Sequence, residues 1–172
     1  MEECLILVDN SNVFIEGRKF SSRKKGMSEL DWSWRIDFGS LLKEVANDHK
    51  IIKSILVGST PPPNDSLWNA AKLQGFEVKT HTRSHSTGEE KAVDTELLAS
   101  GLKVIYKHPR PAILKLLSGD RDFIPLIRSA YEEGWETELW GFSSSISNEL
   151  AQTVSRVRLL DAVFDQIGKY ES

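Results

Sequence analysis

Six short runs of this chain are apolar at consecutive positions, and segments of helical spacing lie between them. "CLILVD" (4–9) is continuous and ends in Asp9, the pattern of a strand buried on both faces. "IIKSILVGS" (51–59) predicts a second strand, closed by "TPPPND", where the prolines forbid regular structure. "FEVKTHT" (76–82) predicts a third, which runs into a polar loop, "RSHSTGEE". "AILKLLSGD" (112–120), "WETELWGF" (135–142) and a short "RVRLLD" (156–161) complete the set. Between them, "IDFGSLLKEVAND" spaces Phe38, Leu41, Leu42 and Val45 for a helix with Asp37 as N-cap. "SLWNAAKLQG" reads as a helix stopped by Gly75. Lys91 to Tyr106 carries Val93, Leu97, Leu98, Leu102 and Ile105 on one face. "RDFIPLIRSAYEEG" tolerates Pro125 only in a first turn, and "SSSISNELAQTV" has a serine-rich helix opening.

Alternating strands and helices, with strands apolar on both faces, predict an α/β fold: three α/β/α layers around a mostly parallel sheet. In such sheets ligands sit beyond the carboxyl ends of the strands. Several acids fall there. Asp9 ends the first strand, Asp120 and Asp122 follow the fourth, and Asp94 opens the helix after the third. With strands one and four adjacent at the switch point, these carboxylates converge and repel unless protonated or bridged by a cation. Oxygen-only donors suit Mg²⁺ or Mn²⁺. Each residue also has a plainer role. Asp94 and Asp122 fit helix N-caps equally well. Asn12 orients a carboxylate or makes an Asx-turn. Ser118 bonds a neighbouring carboxylate or is merely small. The "DNSN" after the first strand looks polar rather than helical.

Composition adds boundaries. At 172 residues the chain fits one domain spanning 1–172, large enough for a core without disulfides. Cys4 is the single cysteine, on a buried strand, so no cysteine zinc site exists. The early first strand leaves no room for a leader peptide, and no run approaches a membrane span; a cytoplasmic or nuclear setting is expected. The net charge of −3 argues against bulk binding of polyanions, but "GRKFSSRKKG" carries Arg18, Lys19, Arg23, Lys24 and Lys25 without an acid. That segment predicts a substrate arm or a solvated surface, and Arg83 adds a cation in "KTHTRSH". Trp32 and Trp34 fit base stacking or packing at a helix edge. Glycine-rich phosphate loops, HExxH spacing and a GxSxG elbow do not occur.

Taken together, "ILVDNSNVF", "EKAVDTELLASGL", "LLSGDRDFIPLI" and "ELWGFSSSISNELAQTVSRVRLLD" resemble the NYN family of PIN-like nucleases, in the family's order and over nearly the whole chain. The resemblance implies a PIN-like Rossmannoid with strand order 3-2-1-4-5. It makes Asp9, Asp94, Asp120 and Asp122 the metal-binding and catalytic acids, with Asn12 the asparagine after the first aspartate. It implies Mg²⁺ or Mn²⁺ as cofactor and RNA, single-stranded by preference, as partner. Hydrolysis would proceed through a metal-activated water. Ser144 and Ser147 would offer phosphate contacts at a helix N-terminus, beside Arg18, Lys19, Lys24, Lys25 and Arg83. "EGRKFSSRKKGMSELDWSWR" departs from the family by being longer and more basic, which bears on the substrate. A homodimer, or further domains in a larger protein, fits this family. So does a weakly cleaving or non-cleaving RNA-binding module. Toprim, dehalogenase-like and receiver domains fit less well: the first wants glutamate where Asp9 stands, and the others want paired acids at strand one.

Overall fold

The structure, a computed structural model, describes residues 2–60, 66–82 and 89–171. In chain order the strands are β1 (Glu3–Asp9), β2 (Trp34–Ile36), β3 (Lys50–Thr60), β4 (Glu77–Thr82), β5 (Ile113–Leu117), β6 (Glu136–Gly141), β7 (Arg156–Leu159) and β8 (Gly168–Tyr170). The α-helices are α1 (Asn10–Lys25), α2 (Phe38–Ala46), α3 (Ser66–Leu73), α4 (Glu89–Lys107), α5 (Ile124–Glu132), α6 (Asn148–Thr153) and α7 (Phe164–Ile167).

Six strands form one all-parallel sheet in the order β4-β3-β1-β5-β6-β7. That is the expected 3-2-1-4-5 order, with the sixth apolar run added at the edge. β1 lies between β3 and β5 and is buried from Cys4 onward, which explains its unbroken apolar run. Its side chains alternate between two cores. Cys4, Ile6 and Val8 meet Leu41, Leu42 and Val45 of α2 together with Trp68 of α3. Leu5 and Leu7 meet Val93 and Leu97 of α4, Leu126 and Ile127 of α5, and Leu150 of α6. Helices therefore cover both faces, giving three layers. Among the described residues no helix is long and apolar enough to cross a membrane.

Two expectations fail here. The polar segment after Asp9 is not a loop but the 16-residue helix α1. Asp9 is its N-cap and Gly26, at φ 69°, its C-cap, while Arg23, Lys24 and Lys25 sit against the negative end of the helix dipole. The second failure is a small antiparallel sheet formed by β2 and β8, with Trp34 facing Tyr170 and Ile36 facing Gly168. Trp34 is buried, stacked on Phe164 at 5.3 Å, so it serves the core rather than a base; Trp32 is exposed. α1 fits over this sheet because Gly17 carries no side chain: a Cβ there would run into the Trp34 ring.

Candidate metal centre

The parallel pairing of β1 with β5 matches Val8 to Leu117, so both strands end side by side at the carboxyl edge. Beyond that register, the buried Ser118 hydroxyl donates to Asp9 Oδ2 at 3.1 Å. The other Asp9 oxygen accepts the Asn12 amide at 3.3 Å, which starts α1. Ser118 Oγ also accepts the Asp120 amide at 3.3 Å, bending the chain back over the strand end. Asp120 Oδ1 then caps the short 3₁₀ turn Arg121–Phe123 by accepting the Asp122 amide at 2.9 Å. Gly119 is required by contact: a Cβ there would strike the Ser145 carbonyl, and its own carbonyl accepts the Ser147 amide at 2.9 Å. The segment 142–147 is thereby clamped onto the acid-bearing turn.

Capping thus falls to Asp9 and Asp120, not to the two residues read as possible caps. Asp94 stands beyond the first turn of α4, and Asp122 lies inside its turn. Both carboxylates are left for another purpose. Asp94, Asp120 and Asp122 each offer an oxygen, and these three oxygens lie within 4.8 Å of one another. Asp9 stands beside this triad rather than in it. It lines, with Asp94 and Asp120, a cavity of about 290 Å³. Ser11, Asn12, Ile15, Glu16, Lys19 and Val93 complete the wall.

Electrostatics at the triad are unfavourable for three full charges. Burial, then the charges of Asp9 and Asp120, an Asp120 hydrogen bond and the charge of Asp122, push the Asp94 carboxyl up to about 8. Near neutral pH it therefore keeps a proton that only a cation would displace without penalty. The residues fit a hard divalent cation on a second ground. Asn12 Oδ1 is buried at the cavity with no hydrogen-bond partner, an oxygen without protein company beside an all-oxygen donor set.

The expected basic arm divides into separate fates. Arg18 is corrected outright: its side chain is buried against Phe14, 3.9 Å from the ring centroid, and donates to the Trp34 and Trp32 carbonyls, each at 3.3 Å. Burial and the neighbouring Arg35 lower its pKa to about 10, and it holds β2 onto α1. Lys24 pairs with Asp165 at 3.2 Å and Lys25 with Asp31 at 2.7 Å. Lys19 pairs with Glu16 at 3.1 Å on the cavity wall, and Arg23 donates to Ser144 Oγ at 3.2 Å. Ser147 is occupied as the N-cap of α6, accepting the Leu150 amide at 3.4 Å. The helix expected over 143–154 is only this short segment, because Ser143 and Ser145 bond to Asp161 and the Phe142 carbonyl instead. Arg83 lies outside the described residues. Ser11, Ile15 and Glu16 were missed as wall residues; the 3–4 spacing of Asn12, Ile15, Glu16 and Lys19 would have grouped them, had α1 been read as a helix.

A family model described as the NYN domain matches residues 4–161. No curated protein matches the chain. Among solved structures, the chain is similar to a protein of unknown function from Vibrio parahaemolyticus, with 17% identity and a TM-score of 0.73. The match covers 98% of this chain and 96% of that one, and at this identity it speaks for the fold alone.

Proposed function

The chain belongs to the NYN domain family, whose members are generally nucleases, and on that premise we propose that it hydrolyses phosphodiester bonds of single-stranded RNA with Mg²⁺ or Mn²⁺. One observation carries the reading: three carboxylates from α4 and the turn after β5 present oxygens within 4.8 Å of one another beside a cavity open to substrate. Asp94, Asp120 and Asp122 would hold the ion, with Asp9 and Asn12 at its side. A divalent ion so held supplies Lewis acidity toward a phosphate oxygen and lowers the pKa of a water.

The chain's own residues do the rest. Ser118 and the Asn12 amide, one on each oxygen, fix the Asp9 carboxylate in one orientation at the cavity wall. Asp120 is held by its own amide donating to Ser118 Oγ and by the Asp122 amide donating to its Oδ1, so its carboxylate is presented to the cavity with little rotamer freedom left to lose. Asp94, protonated near neutral pH, would have to give up that proton to hold the ion, so ion binding would be pH-dependent. No histidine lines the cavity among the described residues, which favours attack by water over a route through the 2′-hydroxyl. RNA rather than DNA follows from the family resemblance.

The test is cleavage of labelled single-stranded and hairpin RNA in Mn²⁺ or Mg²⁺ and in EDTA. Products with 5′-phosphate and 3′-hydroxyl ends, absent in EDTA, support the reading. Ends carrying 2′,3′-cyclic phosphate, or undiminished cleavage in EDTA, contradict it.

A further inference from the structure

The cavity is ringed by acids that repel a polyanion, so a nucleic acid that enters it needs cations along its path. One row of side chains leads away from the acids. Asn12, Glu16, Lys19 and Arg23 stand at i, i+4, i+7 and i+11 of α1, on one face of the helix. The first three line the cavity itself. The fourth reaches across to Ser144, on the segment clamped against the Asp120 turn. At 1.5 Å per residue the row extends about 16 Å from Asn12 to Arg23.

The state of the cations singles out this row. Arg18 is buried on backbone carbonyls, and Lys24 and Lys25 pair with Asp165 and Asp31, none of which lines the cavity. Lys19 has its ion pair within the row, with Glu16. Arg23 is exposed, and among the described residues it makes no ion pair; its hydrogen bond goes to a neutral hydroxyl. A guanidinium has five donors in a fixed fork that matches a phosphate, and one serine uses little of that capacity.

We propose that this face of α1 is the backbone track of the single strand. Lys19 takes the phosphate next to the one held at the acids, and Arg23 with Ser144 takes one further along. The track rests on the reading of the acid cluster as the place where a phosphodiester is held. It reassigns the basic run, from a substrate arm of five cations to two contacts on one helix face.

The test is fluorescence anisotropy of a labelled single-stranded RNA, titrated over a range of salt, in an Asp120→Asn background that keeps the strand uncut. Lys19→Gln and Arg23→Gln are each expected to make the log–log salt slope shallower by about 0.7, and the double variant by about twice that. Lys24→Gln/Lys25→Gln is expected to leave the slope unchanged. An unchanged slope in the Lys19→Gln/Arg23→Gln double variant overturns the track, as does an effect confined to Lys24 and Lys25 or the absence of RNA binding. Cleavage by the otherwise unaltered protein, run in parallel, separates the two ideas. Cleavage with unaltered slopes removes the track alone, and altered slopes without cleavage remove the nuclease reading alone.

Discussion

The hydroxyl of Ser118 ties itself to the carboxylate of Asp9 at 3.1 Å, joining the carboxyl ends of two neighbouring parallel strands that are 109 residues apart in the chain. Both groups are buried, so the bond is shielded from water. Ser118→Ala removes a buried hydrogen bond to the Asp9 carboxylate and is expected to cost about 1–3 kcal/mol of stability. Chemical denaturation measures this, and a variant as stable as the parent would show the bond to be dispensable.

Gly119, the next residue, makes a packing prediction. A methyl group there meets the Ser145 carbonyl, so Gly119→Ala must displace either the acid-bearing turn or the 142–147 segment. A loss of about 1–3 kcal/mol is expected, with cleavage reduced more than secondary structure. Circular dichroism beside an RNA cleavage assay would separate the two effects; full activity would refute the clamp.

Asp94 predicts a pH dependence with a definite sign. Its carboxyl ionises near its ordinary 3.8 when unfolded but near 8 in the folded, metal-free protein. Between those values the folded state binds more protons than the unfolded one, so stability in EDTA falls as pH rises from about 4 to about 8 and levels above that. Asp94→Asn should flatten this decline. Melting curves across that range, parent against variant, check it; identical slopes would contradict the assignment.

Away from the site, Lys115 is fully buried in β5 and donates to the Val45 and Ala46 carbonyls at 2.6 and 3.0 Å, with Glu138 at 3.7 Å. It satisfies the end of α2 from the centre of the sheet. Lys115→Met removes the buried cation beside Glu138 and the side-chain donor to the Val45 carbonyl, while Trp140 still donates to Glu138 at 2.6 Å and the His49 amide to the Ala46 carbonyl at 2.9 Å, and a loss of about 3 kcal/mol is expected. Adding Glu138→Gln should recover part of that loss in the same denaturation experiment.

Much of this architecture was legible because its strands are apolar on both faces and its acids follow them directly: Asp9 after "CLILV" and Asp120 after "AILKLLSG" needed only the carboxyl-edge rule. α1 was not legible. Beside Val13 it buries Asn10, Gly17, Arg18, Ser21 and Ser22 rather than a continuous apolar stripe, so hydrophobic periodicity is almost silent there. The β2–β8 pair was invisible for another reason. It joins strands of three residues at opposite ends of the chain, held by Trp34 against Gly168, and no local pattern encodes such a contact. Misreading α1 carried over to the site: a helix places Asn12, Glu16 and Lys19 on one wall and removes Arg18 from solvent, whereas a loop leaves all five cations alike.

The carboxylates at the strand ends are proposed to hold a divalent ion. Isothermal titration of Mn²⁺ into the purified protein and into Asp120→Asn tests it most directly. Saturable binding by the parent is expected, with proton release near neutral pH from Asp94, and affinity weakened at least about tenfold in the variant, which keeps its fold. Equal Mn²⁺ affinity in the two proteins, or no binding by either, would contradict it.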